Sequence, residues 1–345
     1  MNRCLHYVLI LVLLSLMNSA AFARDENGLL ALIQLPNNGI PSVIERSGTF
    51  NAVLQNEAAL SLSKDTESIP LEAVWTRLPG GDYSAACTID ESVPLGVYAL
   101  EARHGDQVDI NKRAVYVIEE VPDNYLAAHV TDVHIGKERS PSKGVDTFTA
   151  IVNEINASDA ILTLITGDLS ESSDPDQFRQ FLEIMDLCDT PTFVLPGNHD
   201  RGKNYYELFF GPLTYAFTFG KDGYLSFDTK DYLIASEFSG QDNFLYYYRR
   251  QIRPTRWSIG ITHRYDVSMG LRSQITLFVD DPLDYLLCGH VHREAEERDG
   301  IPWGQTRIII TPAAVDGVFR FLKIDETGLH AQESIHLGMT PLDKN

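Results

Sequence analysis

Residues 126–134 read Leu-Ala-Ala-His-Val-Thr-Asp-Val-His, residues 160–168 Ala-Ile-Leu-Thr-Leu-Ile-Thr-Gly-Asp, and residues 192–200 Thr-Phe-Val-Leu-Pro-Gly-Asn-His-Asp. Each is a largely apolar run of strand length that breaks off in Asp, His or Asn. Between the first and second runs, Phe148, Ile151, Val152 and Ile155 recur at i, i+3, i+4 and i+7, the spacing of one helix face. Between the second and third, Asp174-Pro175 has cap and first-turn character, and Phe178, Phe181, Leu182 and Met185 follow at the same spacing. Two further runs, Trp257 to Thr262 and Tyr285 to Cys288, lead into His263 and into Gly289-His290-Val291-His292. Strand and helix alternate, which predicts an α/β domain from residue 124 onward.

The chemistry gathers where the strands stop. Asp132, His134, Asp168, Asn198, His199, Asp200, His263, His290 and His292 all follow a predicted strand. Loops at the carboxyl ends of strands in open α/β sheets converge above a rigid base, so these side chains are expected in one pocket. Singly, each motif has an ordinary reading: Gly-Asp is commonly a turn, and a lone histidine is more often structural. Gly197-Asn198-His199-Asp200 is stronger, because turning the chain does not need four non-hydrophobic residues. His290 and His292 alternate on an extended segment and so face the same way. Carboxylate, amide and imidazole without thiolate suit Zn²⁺, Mn²⁺ or Fe²⁺ better than a structural thiolate zinc site, and so many imidazoles disfavour Mg²⁺ and Ca²⁺. Asp132, His134, Asp168, Asn198, His263, His290 and His292 make seven donors, too many for one tetrahedral ion and natural for two ions sharing a carboxylate.

These motifs, in this order, resemble those of the calcineurin-like metallophosphoesterase superfamily over roughly residues 125 to 325. The resemblance implies a fold of two facing β-sheets flanked by helices, and two divalent ions (Mn, Zn or Fe). Asp132, His134 and His292 would hold the first ion, Asp168 would bridge, and Asn198, His263 and His290 would hold the second. A hydroxide bound by both ions would attack phosphorus, with His199 orienting phosphate and protonating the leaving group. Glu171 or Asp200 is expected to orient the His199 ring, and Arg201 and Tyr265 to contact substrate. Many members carry a second His or a Pro after the residue matching His263; here Arg264-Tyr265-Asp266 follow. Glu171 stands where purple acid phosphatases place a tyrosine ligand, and Glu171-Ser172 where protein phosphatases place Asp-Arg, so neither an iron(III)-tyrosinate centre nor a phosphoserine clamp is expected.

Residues 24–123 read as about seven short strands between Leu29 and Glu119, separated by turn segments such as Pro36-Asn37-Asn38-Gly39. That pattern fits a small all-β sandwich. The stretch Pro94-Leu-Gly-Val-Tyr-Ala-Leu-Glu-Ala resembles strands of immunoglobulin-like accessory domains in exported bacterial enzymes, and a structural or docking task is expected of this part. Ahead of it, Arg3, the apolar run Tyr7 to Leu16 and the small residues Ala21 and Ala23 form a signal-peptide pattern over residues 1–23. The mature chain, residues 124–345 being its catalytic part, is then expected to be periplasmic or secreted, and no later run is long enough to cross a membrane.

Twenty-eight Lys and Arg against 48 Asp and Glu give a net charge of −20, which repels a polyphosphate backbone and argues against nucleic acid as partner. The expected partner is a small soluble phosphoester, with a phosphodiester favoured and a phosphomonoester as the alternative. A non-catalytic exported binding protein would account for the sandwich and the signal, but not for seven donors together with His199. The zinc-peptidase pattern His-Glu-x-x-His and the metallo-β-lactamase pattern His-x-His-x-Asp are both missing.

Overall fold

A computed structural model describes residues 28–139, 142–228, 241–265, 276–297 and 304–338. The segment expected to be a signal peptide lies outside the described residues. The second part of the chain contributes β1 (Tyr125–Val130), α1 (Gly144–Asn156), β2 (Ala160–Thr166), α2 (Pro175–Met185), β3 (Thr192–Leu195), α3 (Tyr205–Phe210), β4 (Tyr215–Phe219), β5 (Asp222–Ser226), α4 (Gln241–Gln251), β6 (Ser258–Ile261), β7 (Tyr285–Cys288), β8 (Ala295–Glu297), β9 (Arg307–Ile310), β10 (Val318–Asp325) and β11 (Gly328–Ala331).

Two six-stranded sheets result. The first has the order β3-β2-β1-β10-β11, with Ile335–His336 added beside β10, and the second the order β4-β5-β6-β7-β9-β8. β1, β2 and β3 run parallel in the first sheet, as do β5, β6, β7 and β9 in the second. Alternation along each strand builds the layers. Ala127, Leu162, Leu164, Phe193 and Leu195 meet Tyr224, Ile259, Ile261 and Leu287 of the facing sheet. Ala128, Val130, Ile165 and Val194 turn the other way, onto Phe148, Ile151, Phe178, Phe181 and Met185 of α1 and α2. Phe148 and Phe181 stack with ring centroids 5.0 Å apart, and each such side chain withdrawn from water is worth roughly 2–3 kcal/mol. Leu245 of α4 joins Leu225, Phe227 and Leu286 on the outer face of the second sheet. The helix α2 starts as its sequence dictates, with the Asp174 carboxylate accepting the Asp176 N–H at 2.8 Å.

The two facing sheets with helices outside them are the architecture expected. Six of these strands are not among the expected ones: β4, β5, β8, β9, β10 and β11. Gly220, Asp222 and Gly223 interrupt the pattern around β4 and β5, Arg307–Ile310 stacks apolar residues without alternation, and Val318–Asp325 alternates only in two short pieces of opposite phase, Phe319-Arg320-Phe321 and Leu322-Lys323-Ile324-Asp325.

Between Ile33 and Ile118 nine strands form a four-stranded and a five-stranded sheet. Phe50, Leu54, Ala85 and Cys87 of one face Leu60, Leu62, Leu100 and Val115 of the other, so the sandwich has its own apolar filling. The expected seven strands become nine by the addition of Ser42–Glu45 and Glu67–Leu71. The second contains Pro70, which its edge position tolerates because the strand pairs on one side only. Cys87, Cys188 and Cys288 are buried free thiols. No described helix is long and apolar enough to cross a membrane.

Candidate metal centre

The loops that leave β1, β2, β3, β6 and β7 meet at one end of the paired sheets. The backbone is bent sharply there: Asp132, His134, Asp168, His290 and His292 all have φ between +50° and +71°. Non-glycine residues rarely adopt this region, and several doing so together mark a place where the surrounding structure imposes the geometry. The loops also approach too closely for ordinary side chains. A Cβ on Gly197 would lie 2.1 Å from Asp168 Oδ1, and one on Gly289 would lie 1.9 Å from Thr131 Oγ1. Both motif glycines are therefore fixed by contact between loops rather than by their own turns.

The side chains converge as expected. His292 Nε2 lies 3.2 Å from Asp132 Oδ1, and His134 Nε2 lies 3.8 Å from the same oxygen. Asp168 Oδ2 is 3.6 Å from His134 Nε2 and 3.2 Å from His263 Nε2, so one oxygen faces both sides of the cluster. His290 Nδ1 is 3.2 Å from His263 Nε2. Asp132, His134 and His292 form one set of donors able to hold an ion, Asp168, His263 and His290 a second, and His134, Asp168 and His199 a third. Asp132, His134, Asp168 and His263 are almost wholly buried.

A cation answers what these residues leave unsatisfied. His134 Nε2 and Asn198 Oδ1 are buried and have no hydrogen-bond partner, although buried polar atoms are nearly always paired. Asp132 and Asp168 are held below the usual carboxylate range: burial opposes their ionisation, and the neighbouring imidazoles outweigh it. Burial likewise disfavours charge on His263, but Asp168 and Asp132 overcome it and lift the ring to about 9. Burial, then the charges of His263 and Arg264, pulls His290 down to about 4. The buried acids thus draw positive charge into the pocket, and a divalent ion supplies it without protonating the ligands.

Around this centre the partners differ from those expected. The His199 ring Nδ1 lies 2.6 Å from the backbone carbonyl of Glu171, not from a carboxylate. The Glu171 carboxylate turns instead to His134 Nδ1 at 2.7 Å and to Lys137 Nζ at 3.2 Å, and is 3.9 Å from the His199 ring. Asp200 does not touch that ring. Its fully buried carboxylate accepts the backbone N–H groups of Leu169, Ser170 and Gly197 and the Ser170 hydroxyl at 2.8–2.9 Å, tying the two loops together. Burial, then the charge of Asp168, raises Asp200 to about 6 against those hydrogen bonds.

Arg201 was expected at the substrate and is instead drawn inward, with Nη1 2.7 Å from Glu207 Oε1 and Nε 3.2 Å from Asp228 Oδ2. Tyr265 packs edge-on against Phe278, with centroids 5.7 Å apart. Asp316 was missed. Its Oδ2 lies 3.6 Å from His292 Nδ1, in a turn beyond β9, whose run Arg307–Ile310 carries no alternating strand signal. Two hollows of about 490 and 310 Å³ lie between the sandwich and the second part of the chain. Neither of these two is lined by the histidines of the centre.

Residues 126–294 match the family model described as calcineurin-like phosphoesterase. A probable cyclic nucleotide phosphodiesterase of Vesicomyosocius okutanii subsp. Calyptogena okutanii is 27% identical over 192 residues, covering 50% of this chain and 81% of that protein. A 3′,5′-cyclic adenosine monophosphate phosphodiesterase of Haemophilus influenzae is 38% identical over 79 residues, 21% of this chain and 28% of that protein. Among solved structures, the purple acid phosphatase PPD1 of yellow lupin superposes with a TM-score of 0.54 at 15% identity, covering 86% of this chain and 71% of that one. At that identity the likeness concerns the fold, and its extent takes in the sandwich as well as the paired sheets.

Proposed function

Since the second part of this chain belongs to the calcineurin-like phosphoesterases and is a phosphoric ester hydrolase, we propose that it is a phosphodiesterase acting on a small soluble substrate with two divalent ions. Asp132, His134 and His292 would hold the first ion, Asn198, His263 and His290 the second, and Asp168 would serve both. The observation that carries this is the single Asp168 oxygen facing His134 at 3.6 Å and His263 at 3.2 Å, between two sets of donors. When bound, two such ions supply a water that is ionised near neutrality and offset the charge of the phosphoryl oxygens.

The chain's own residues complete the reaction. The Glu171 carbonyl accepts the His199 Nδ1 proton at 2.6 Å, which fixes the tautomer and leaves Nε2 as the nitrogen that gains and loses a proton. From there His199 donates to the leaving oxygen. The second oxygen of Asp168 accepts the His199 backbone N–H at 2.9 Å, so the acid and the shared carboxylate are held in register. Preference for a diester is supported by two of the cations near the centre. Arg201 is engaged by Glu207 and Asp228, and Lys137 by Glu171, leaving them poorly placed to neutralise the second negative charge of a monoester. The relatives named above as cyclic nucleotide phosphodiesterases support the same class.

The test is hydrolysis by the full chain reconstituted with Mn²⁺, Zn²⁺ or Fe²⁺, using bis(p-nitrophenyl) phosphate, p-nitrophenyl phosphate and a cyclic nucleotide. Diester kcat/KM at least about tenfold above monoester is expected. A monoester preference refutes the diester assignment, and full loading with one ion per chain refutes the two-ion assignment.

A further inference from the structure

β3 is the outermost strand of its sheet, and it runs directly into the loop that carries Asn198 and His199. An outermost strand leaves one row of backbone groups without a strand partner. At Val194 that row is closed from elsewhere. The Val194 N–H donates to the carbonyl of Gly39 at 2.8 Å, and the Val194 carbonyl accepts the hydroxyls of Tyr206 at 3.2 Å and Tyr215 at 2.7 Å. Gly39 belongs to the N-terminal sandwich, in the turn Asn37-Asn38-Gly39-Ile40.

The turn is built to hold that carbonyl in place. Asn37 is fully buried; its Oδ1 accepts the Ile40 N–H at 3.2 Å, and its Nδ2 donates to Gln34 O at 3.0 Å and to Phe210 O of α3 at 3.1 Å. The Asn37 N–H donates to Ile40 O at 3.1 Å. Asn111, also fully buried, donates to Pro36 O at 3.1 Å, and Asn38 Nδ2 donates to Asp186 Oδ1 at 2.5 Å. A Cβ on Gly39 would lie 2.8 Å from Phe210 Cδ1 and 3.1 Å from Val194 Cγ2, so the backbone reaches β3 only because residue 39 has no side chain. Two buried asparagines satisfying so many backbone groups far exceed what a surface turn needs.

We propose that Asn37 is a positioning residue for the reaction: through the Gly39 carbonyl it closes the free edge of β3 and fixes the loop bearing Asn198 and His199. The sandwich then supplies no ligand, yet one of its turns sets where a ligand and the proton donor stand. The inference rests on the roles given above to Asn198 and His199.

The test titrates Mn²⁺ into the metal-free full chain, far below its melting temperature, and measures kcat and KM for bis(p-nitrophenyl) phosphate. Asn37→Ala is expected to weaken one of two binding steps about tenfold, the scale typical of residues that hold a ligand in place. It should leave the other step unchanged and lower kcat more than it raises KM. Arg113→Ala is the comparison. Arg113 reaches from the sandwich to the carbonyl of Cys188, ahead of β3, so its loss should lower the melting temperature and leave both steps intact. Equal weakening in both variants would mean general destabilisation and overturn the proposal. Asn198→Ala separates the assignments: if it fails to weaken a step, the role of Asn198 is wrong, and if it weakens one while Asn37→Ala does not, only this proposal falls. Should Asn37→Ala not fold, Asn37→Asp, which keeps the oxygen facing Ile40, should show the same change in smaller degree, and unchanged steps there overturn the proposal equally.

Discussion

Replacing Gly289 by alanine is expected to disable the centre while the fold stands. The new Cβ would meet Thr131 Oγ1 at 1.9 Å and Asp132 Oδ2 at 2.6 Å. Thr131 has little freedom to yield, because its hydroxyl lies between two acceptors that share its one proton, Asp132 Oδ2 at 2.9 Å and Thr166 O at 3.0 Å, and a β-branched side chain is stiff at χ1. The loop must therefore retreat by about 1.5 Å, from 1.9 Å to an ordinary contact near 3.4 Å. That movement carries His290 and His292 with it and breaks the bond from the His290 N–H to Asp132 Oδ2, now 2.8 Å. A misplacement of about 1 Å costs on the order of 10²-fold in rate, so a loss of at least that size in kcat/KM is expected. The stability cost should be only about 1–3 kcal/mol, typical of a side chain forced into a filled space. The assay compares kcat/KM, Mn²⁺ stoichiometry and urea midpoint with those of Gly80→Ala, whose Cβ meets nothing within 4 Å. Activity within about threefold of the parent, with both ions bound, would refute the claim that contact between these loops sets the ligand positions.

Asp168→Asn should impair catalysis at every leaving-group pKa, because the oxygen facing His134 and His263 loses its charge, whereas His199→Ala should cost roughly 10²- to 10⁴-fold only for poor leaving groups; a His199→Ala defect independent of leaving group would exclude its role as proton donor. His129 is fully buried between Thr166 and Thr311, and burial followed by the charge of Arg320 pulls it down to about 3. Its folded pKa lies below the unfolded value near 6.5, so the unfolded chain binds the extra proton and stability falls as pH drops from about 6.5 toward 3. Urea melts of metal-free protein should show His129→Gln losing about 2 kcal/mol less than the parent between pH 6.5 and 5, and identical slopes would contradict this. We also propose that the mature protein begins at Arg24 after export; N-terminal sequencing from the native host checks it, and an intact Met1 terminus would rule it out.

The position of the centre was legible in the sequence because a strand's direction and length are local properties. Once 126–131, 160–166, 192–195, 257–262 and 285–288 read as strands, the polar residues after each had to collect at one end of the sheets. The same logic failed where no strand was recognised: Asp316 follows β9, whose residues Arg307–Ile310 show no alternation, so the sequence offered no reason to look there.

Partners around the centre were beyond sequence reading. Glu171 is 28 residues from His199 and 37 from His134, and nothing in those spacings says that its carboxylate approaches the second ring while its carbonyl meets the first. Asp200 follows His199 directly, yet the peptide between them sends its side chain beneath the loops to gather three backbone N–H groups. Arg201 likewise turns inward to Asp228, which lies beyond β5 in the opposite sheet. Amino-acid pattern determines which residues leave the strands together, since that depends on neighbours along the chain. Which atoms then meet depends on left-handed turns at Asp132, Asp168 and His290 and on glycines that let loops from different strands touch. Those are properties of packing between distant segments, and only the folded chain brings them into contact.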